Sequence, residues 1–270
     1  MPLKFSIIAA LAATSLIASG PVYTADGVVN AASNLPGPIA PGMLVSIYGQ
    51  GLSFITHALT PQDIHAGILP ILFAGAGVSV SIGFPGRNTG YSGYLYYVSP
   101  TQINVLIPNS LPPGPVDLSV GLNGLYGPAV HLTLAAAAPA LFQVDGFYGI
   151  ATQPDGTVLT KDAPAHPGDI VVVYATGLGL ADKNLPDGHP AEAAFVLQRI
   201  SSFRVRINGV QLDPKNVYYA GVTPGFAGLY QVNLKLPDDV GNDPEIRIGF
   251  DDAMSPEHIL LHVGPAPPQL

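Results

Sequence analysis

Residues 101–108 read TQINVLIP and residues 230–237 read YQVNLKLP, so glutamine, asparagine and proline recur in matching places with apolar residues between them. Three more blocks repeat in the same order. PGMLVSIYGQGL (41–52) returns as PGDIVVVYATGL (167–178), VSVSIG (78–83) as RVRING (204–209), and LYY (95–97) as VYY (217–219). Pro41 and Pro167 are 126 residues apart, and Gln102 and Gln231 are 129 apart, so the register drifts by only a few residues. Four ordered matches mark one domain present twice, because the period far exceeds the about 20 to 50 residues of a solenoid unit.

Each block reads as a β-strand with its punctuation. In MLVSIYGQ and DIVVVYAT, β-branched and aromatic residues follow a Pro-Gly turn and end near glycine. In the opening phrase the period of two puts Ile103, Val105 and Ile107 on one face and Gln102 and Asn104 on the other; Val232, Leu234 and Leu236 oppose Gln231 and Asn233 in the second copy. Pro108 and Pro237 stop these strands because proline has no N–H for the ladder. Asn123-Gly124, Asp155-Gly156, Asp187-Gly188 and Asn208-Gly209 signal turns. Helical spacing fits only a short stretch around Ala191 to Arg199. Many short strands with regular turns predict an all-β chain of two tandem immunoglobulin-like β-sandwich domains. Their boundary falls in the small-residue run LAAAAPALF (134–142), giving a first domain at 26–138 and a second at 139–270. With Cys 0 and Trp 0, the inter-sheet disulfide and packed tryptophan of antibody domains cannot form.

Composition narrows the setting. Hydrophobic residues make up 48% of the 270, enough for real cores, whereas charged residues make up only 10% against about 25% in an average soluble protein. Between Gly27 and Ile150 the single basic residue is Arg87. A net charge of -8 with 10 Lys and Arg in all argues against nucleic acid, whose phosphates need clustered cations. The opening MPLKFSIIAALAATSLIASG has one basic residue, Lys4, then an apolar run from Phe5 to about Ala18, then small residues, the order of a secretory signal peptide. That run is short of the roughly 20 residues a spanning helix needs. The expectation is a leader at 1–25, cut after Ala25 or after Gly20, the latter leaving Pro21 awkwardly placed just past the broken bond; no membrane span once it is removed; and a secreted or cell-envelope protein. An exported chain without cysteine has neither disulfides nor cysteine nucleophiles, so packed cores must hold it together.

VVNAASNLPGPIAPGMLVSIYGQGL, YYVSPTQINVLIP, AAPALF, GDIVVVYATGLG and YAGVTPGFAGLYQVNLKLP together resemble the Solibacter-type C-terminal domain family of secreted acidobacterial proteins. The resemblance covers nearly all the chain after the leader, and PGMLVSIYGQGL also resembles the first strand of an IPT/TIG immunoglobulin-like domain. The family has no established activity, so the resemblance implies export and a β fold and transfers no catalytic residue.

The residues themselves point away from catalysis. No G-x-S-x-G elbow, H-E-x-x-H helix, phosphate loop or dinucleotide fingerprint occurs, and the G-L-G at 177–179 lacks a third glycine. Glycoside hydrolysis needs two carboxylates across a cleft, and the three glutamates, Glu192, Glu245 and Glu257, sit in no recognisable setting. His258 and His262 in HILLH would lie about 13 Å apart on one face of a strand, too far for one metal. DDVGNDPE (238–245) offers the hard oxygens calcium takes but lacks the spacing of an EF-hand loop, and reads first as an acidic turn. No catalytic, cofactor or metal residues are assigned. Among the tyrosines, Tyr96, Tyr97, Tyr218 and Tyr219 are expected to pack, and the glycine-flanked Tyr91, Tyr94 and Phe226 to be exposed contacts for a protein or carbohydrate partner. The repeated Gln and Asn are expected to anchor neighbouring backbone. The reading is an exported, non-catalytic binding or assembly module at the cell surface or outside the cell; a secreted hydrolase acting on polysaccharide and a purely structural spacer are its alternatives.

Overall fold

The computed structural model describes residues 20–73, 75–87 and 90–265; the apolar run from Phe5 to Ala18 lies outside them. The chain is all-β and folds as two tandem immunoglobulin-like sandwiches. The first is built from β1 (Val22–Asn30), β2 (Leu44–Gln50), β3 (Val78–Gly83), β4 (Gly90–Ser92), β5 (Tyr94–Val98), β6 (Gln102–Leu106), β7 (Gly114–Leu122) and β8 (Val130–Leu134). One sheet has the order β1-β2-β6-β5 with the short strand His57–Ala58 at its edge; the other runs β8-β7-β3-β4. The second sandwich contains β9 (Ile170–Thr176), β10 (Phe203–Ile207), β11 (Val217–Val222), β12 (Tyr230–Lys235) and β13 (Ile246–Phe250). Its sheets run Ala140–Leu141, β9, β12, β11 and Val210–Gln211, β10, β13, Ala253–Met254. All these strand pairs are antiparallel.

The repeated phrases occupy equivalent places. Both β2 and β9 pair with the strand carrying the glutamine and asparagine, and Tyr48 faces Gln102 as Tyr174 faces Gln231. Burial alternates along β3, β10 and β12 as the period of two requires. Ile103, Val105, Ile107, Val232, Leu234 and Leu236 all lie in the cores, and β6 and β12 end two residues before their prolines. Two large cores result, one from residues between Tyr23 and Leu134 and one from residues between Ala137 and Val263.

The double tyrosine is a duplicated β-bulge. Leu95 pairs with Val105 and Tyr97 with Asn104, leaving Tyr96 unpaired; Val217 pairs with Leu234 and Tyr219 with Asn233, leaving Tyr218 unpaired. An extra residue on one strand twists and re-aims the side chains around it. The two Asn-Gly turns have both residues at positive φ, at 49° and 82° for Asn123-Gly124 and 49° and 78° for Asn208-Gly209, the type I′ hairpin geometry.

Two expectations need correction. The 191–199 segment is not helical: Val196 bridges to Gly221 of β11 and Leu197 to Ala181, and the Leu197 and Gln198 N–H groups donate to the Ala220 and Leu180 carbonyls rather than to a helical turn. The chain around His258 and His262 is a series of isolated bridges rather than a strand, and His258 adopts φ 69°. The first strand, β1, begins at Val22 and so includes Ala25.

Candidate functional site

The two sandwiches meet where their long connections after β2 (51–77) and β9 (177–202) converge, and Leu69 N–H donates to the Gly188 carbonyl at 2.9 Å. Leu69, Leu106 and Ala227 form a small apolar core there, flanked by Leu44, Leu59, Ile64, Tyr94 and Tyr96. Polar groups bind the seam on each side of it. Thr176, fully buried at the end of β9, accepts from the Leu44 N–H at 2.9 Å and donates to the Gly228 carbonyl at 2.8 Å. The bulge residue Tyr96 donates to the Ala227 carbonyl at 2.7 Å, and burial pushes its hydroxyl up to about 12. Asp187 accepts from the Ser110 N–H at 2.9 Å and from the Ser110 hydroxyl, and Asn109 Nδ2 donates to the Leu185 carbonyl at 3.4 Å. The more buried members, Thr176 and Tyr96, fix a relative position, since separating the faces would break bonds made away from solvent.

Beside this seam lies a cavity of about 140 Å³ lined by residues of both repeats, among them Asn109 from the first and Lys183, Asn184, His189, Gln198 and Phe226 from the second. It shares Lys183, Asn184, Leu185 and His189 with a neighbouring cavity of about 280 Å³ that extends to Glu192 and Phe195. The His189 ring is oriented by its Nδ1, 3.0 Å from the Asp187 carbonyl. Phe226 presents its ring at the rim with 53% of its surface exposed. The wall therefore offers amide donors and acceptors, one ammonium group and a flat apolar face.

The residues expected as contacts separate. Phe226 is exposed and Tyr94 is half-buried against Gly188, where burial and the nearby Asp187 raise its hydroxyl, so these two share the junction. Tyr91 is elsewhere and half-buried, its ring edge-on to Phe84 at 6.2 Å. Tyr91 and Tyr94 thus depart from the expected exposure because each found an apolar neighbour. Tyr218 departs the other way, with 55% exposed. Asn109, Lys183, Asn184, His189 and Gln198 were not singled out from the sequence. Most of them lie in the connection after β9, which past its opening Gly-Leu carries none of the repeated blocks, and unrepeated residues inside a repeated frame are the available signal.

Elsewhere the acidic stretch is divided among separate partners. Asp238 pairs with Lys235 at 3.3 Å, Asp243 meets the Tyr148 hydroxyl at 3.3 Å, and Glu245 accepts from the His258 N–H at 2.8 Å. The His262 ring stacks on Tyr148 with centroids 3.8 Å apart. Among the described residues no three His, Cys, Asp or Glu side chains converge as metal ligands, and no helix is long and apolar enough to cross a membrane.

No family model matches the chain, and no curated protein matches it. Among solved structures it is similar to SGBP-B of the Bacteroides ovatus mixed-linkage glucan utilization locus, in complex with a mixed-linkage heptasaccharide (11% identity, 84% of this chain and 44% of that one, TM-score 0.32). It is also similar to the surface glycan-binding protein PbSGBP-B from Prevotella bryantii (12%, 89% and 41%, TM-score 0.25) and to domains 5–6 of the S-layer protein SbsC (10%, 92% and 100%, TM-score 0.27). The chain spans less than half the length of the first two.

Proposed function

We propose that the protein is an exported, non-catalytic binding or assembly module that works at the cell surface or outside the cell, and that the cleft between its repeats takes carbohydrate. The observation that carries this reading is the cleft itself. The exposed face of Phe226 suits the C–H face of a sugar ring, and the amides of Asn109, Asn184 and Gln198 suit its hydroxyls. The hydrogen-bonded seam supports a site already shaped before the ligand arrives, which lowers the cost of binding. Among the residues lining the two cavities Glu192 is the one carboxylate, whereas glycoside hydrolysis uses two. The leader-like segment and the resemblance to the Solibacter-type family support export.

The test is a titration of the purified protein against a panel of soluble polysaccharides and oligosaccharides, with released reducing sugar assayed in parallel. Binding that weakens at least about tenfold in Phe226→Ala and in Gln198→Ala, with melting unchanged, is the expected result. Binding indifferent to both substitutions, or none to any glycan, removes the proposal. Sugar release abolished by Glu192→Gln would make the protein a hydrolase instead.

A further inference from the structure

The start of β1 constrains where the leader is removed. Tyr23 lies opposite Gly49 in the β1–β2 sheet, yet its hydroxyl reaches the facing sheet, accepting the Val120 N–H at 2.7 Å and donating to the Pro128 carbonyl at 2.6 Å. It is 5% exposed, and Pro21 before it is buried. The fit is close: a Cβ on Gly127 would stand 2.4 Å from the Pro21 carbonyl oxygen and 2.6 Å from Tyr23 Cε1. Residues 21–23 are therefore part of the first sandwich and tie its two sheets together. Thr24, Ala25 and Asp26 are exposed, in the stretch where the β1–β2 register shifts.

We infer that leader removal, on the export reading above, occurs no later than the Gly20–Pro21 bond, and that Pro21 to Ala25 belong to the mature protein. Two independent lines meet here. A cut after Ala25 would discard Tyr23 with both its hydrogen bonds and the Val22–Gln50 and Tyr23–Gly49 pairings. It would also place the bulky Tyr23 three residues before the broken bond, where the leader site takes small side chains, whereas Ala18 and Gly20 supply a small pair at that spacing. The step is hydrolysis: water adds across the peptide bond, leaving a carboxylate on the leader and an amine on the mature chain.

The full chain with a carboxy-terminal tag, expressed in a bacterial host and recovered from periplasm or medium, gives the answer by intact mass and amino-terminal sequencing. A first residue at or before Pro21 is expected; a start at Asp26 overturns the inference while leaving export standing. An intact chain confined to the cytoplasm overturns the export reading, and this one with it. A second measurement addresses the fold alone, comparing leaderless chains that begin at Pro21 and at Asp26. The shorter one should melt about 10 °C lower or fail to fold, with Tyr23→Phe in the longer chain between them. Equal melting of the two chains would show that β1 does not need its first residues, and would overturn the structural half of the inference.

Discussion

Asn104 Oδ1 accepts two hydrogen bonds, from Gln102 Nε2 at 2.8 Å and from Ser46 Oγ at 3.0 Å, whereas Asn233 Oδ1 accepts one, from Gln231 Nε2 at 3.2 Å. The difference arises across the sheet, where Ser46 lies opposite Asn104 and Val172 opposite Asn233. The two pairs are equivalent, as the repeat implies, but they bond to side chains rather than to backbone. The ladder has already used the neighbouring backbone groups, and side chains two apart on a strand share a face. Because both sites are half-buried, Asn104→Ala should destabilise by about 1 to 2 kcal/mol and Asn233→Ala by about half as much. Thermal denaturation of the two variants checks this, and equal losses would mean that Ser46 contributes nothing.

At the scale of elements, the repeat preserves strand ends as faithfully as strand interiors. Gly51 and Gly177 close β2 and β9 with φ of 63° and 75°, so the same left-handed exit launches both long connections. What the exit meets differs. A Cβ on Gly177 would lie 2.1 Å from the Ala138 carbonyl oxygen, in the segment joining the sandwiches, while nothing lies within 4 Å of one on Gly51, nor of one on the hairpin glycine Gly209 with φ 78°. Gly209→Ala should therefore cost only the backbone term of about 1 to 2 kcal/mol. Gly177→Ala adds the displacement of a hydrogen-bonded backbone, for a total of about 3 kcal/mol or more. Denaturant melts of the two variants separate these contributions, and similar values would show that the 138–177 contact yields freely.

At the scale of the whole molecule, the junction includes a hydroxyl that titrates only at high pH, and the buried Tyr230 hydroxyl in the second core is likewise pushed up by burial. Burial raises the Tyr96 hydroxyl from 10.0 to about 12, so the folded chain holds that proton more tightly than the unfolded chain does. Its contribution is complete below about pH 10 and is lost as pH rises through about 12; a shift of this size corresponds to about 2 to 3 kcal/mol. Tyr219, also pushed to about 12 but more exposed, fades in the same window. The melting temperature of the parent should fall between pH 10 and 12, and that of Tyr96→Phe, lower at neutral pH for want of the bond to Ala227, should fall less. Calorimetric scans across that range test it, and parallel curves would show that the junction does not set the alkaline limit.

The duplication, the strands and their inward faces were legible in the sequence, because alternation along a strand is a local pattern that burial must follow wherever the strand sits. Val232, Leu234 and Leu236 needed only their own period of two to be placed in a core. Tyr96 and Tyr218 show where that legibility ends. They hold the same position in the same bulge, yet one closes the junction on Ala227, 131 residues away in the chain, and the other faces solvent. The cleft residues of the 177–202 connection follow the same rule, gathering beside Asn109 only when the sandwiches dock. Tyr23 does too, since nothing in PVYTADG reveals that its hydroxyl spans two sheets. A side chain's direction is set by its own strand; what lies at the end of it is set by chain distant in sequence, and only the tertiary structure brings that chain there.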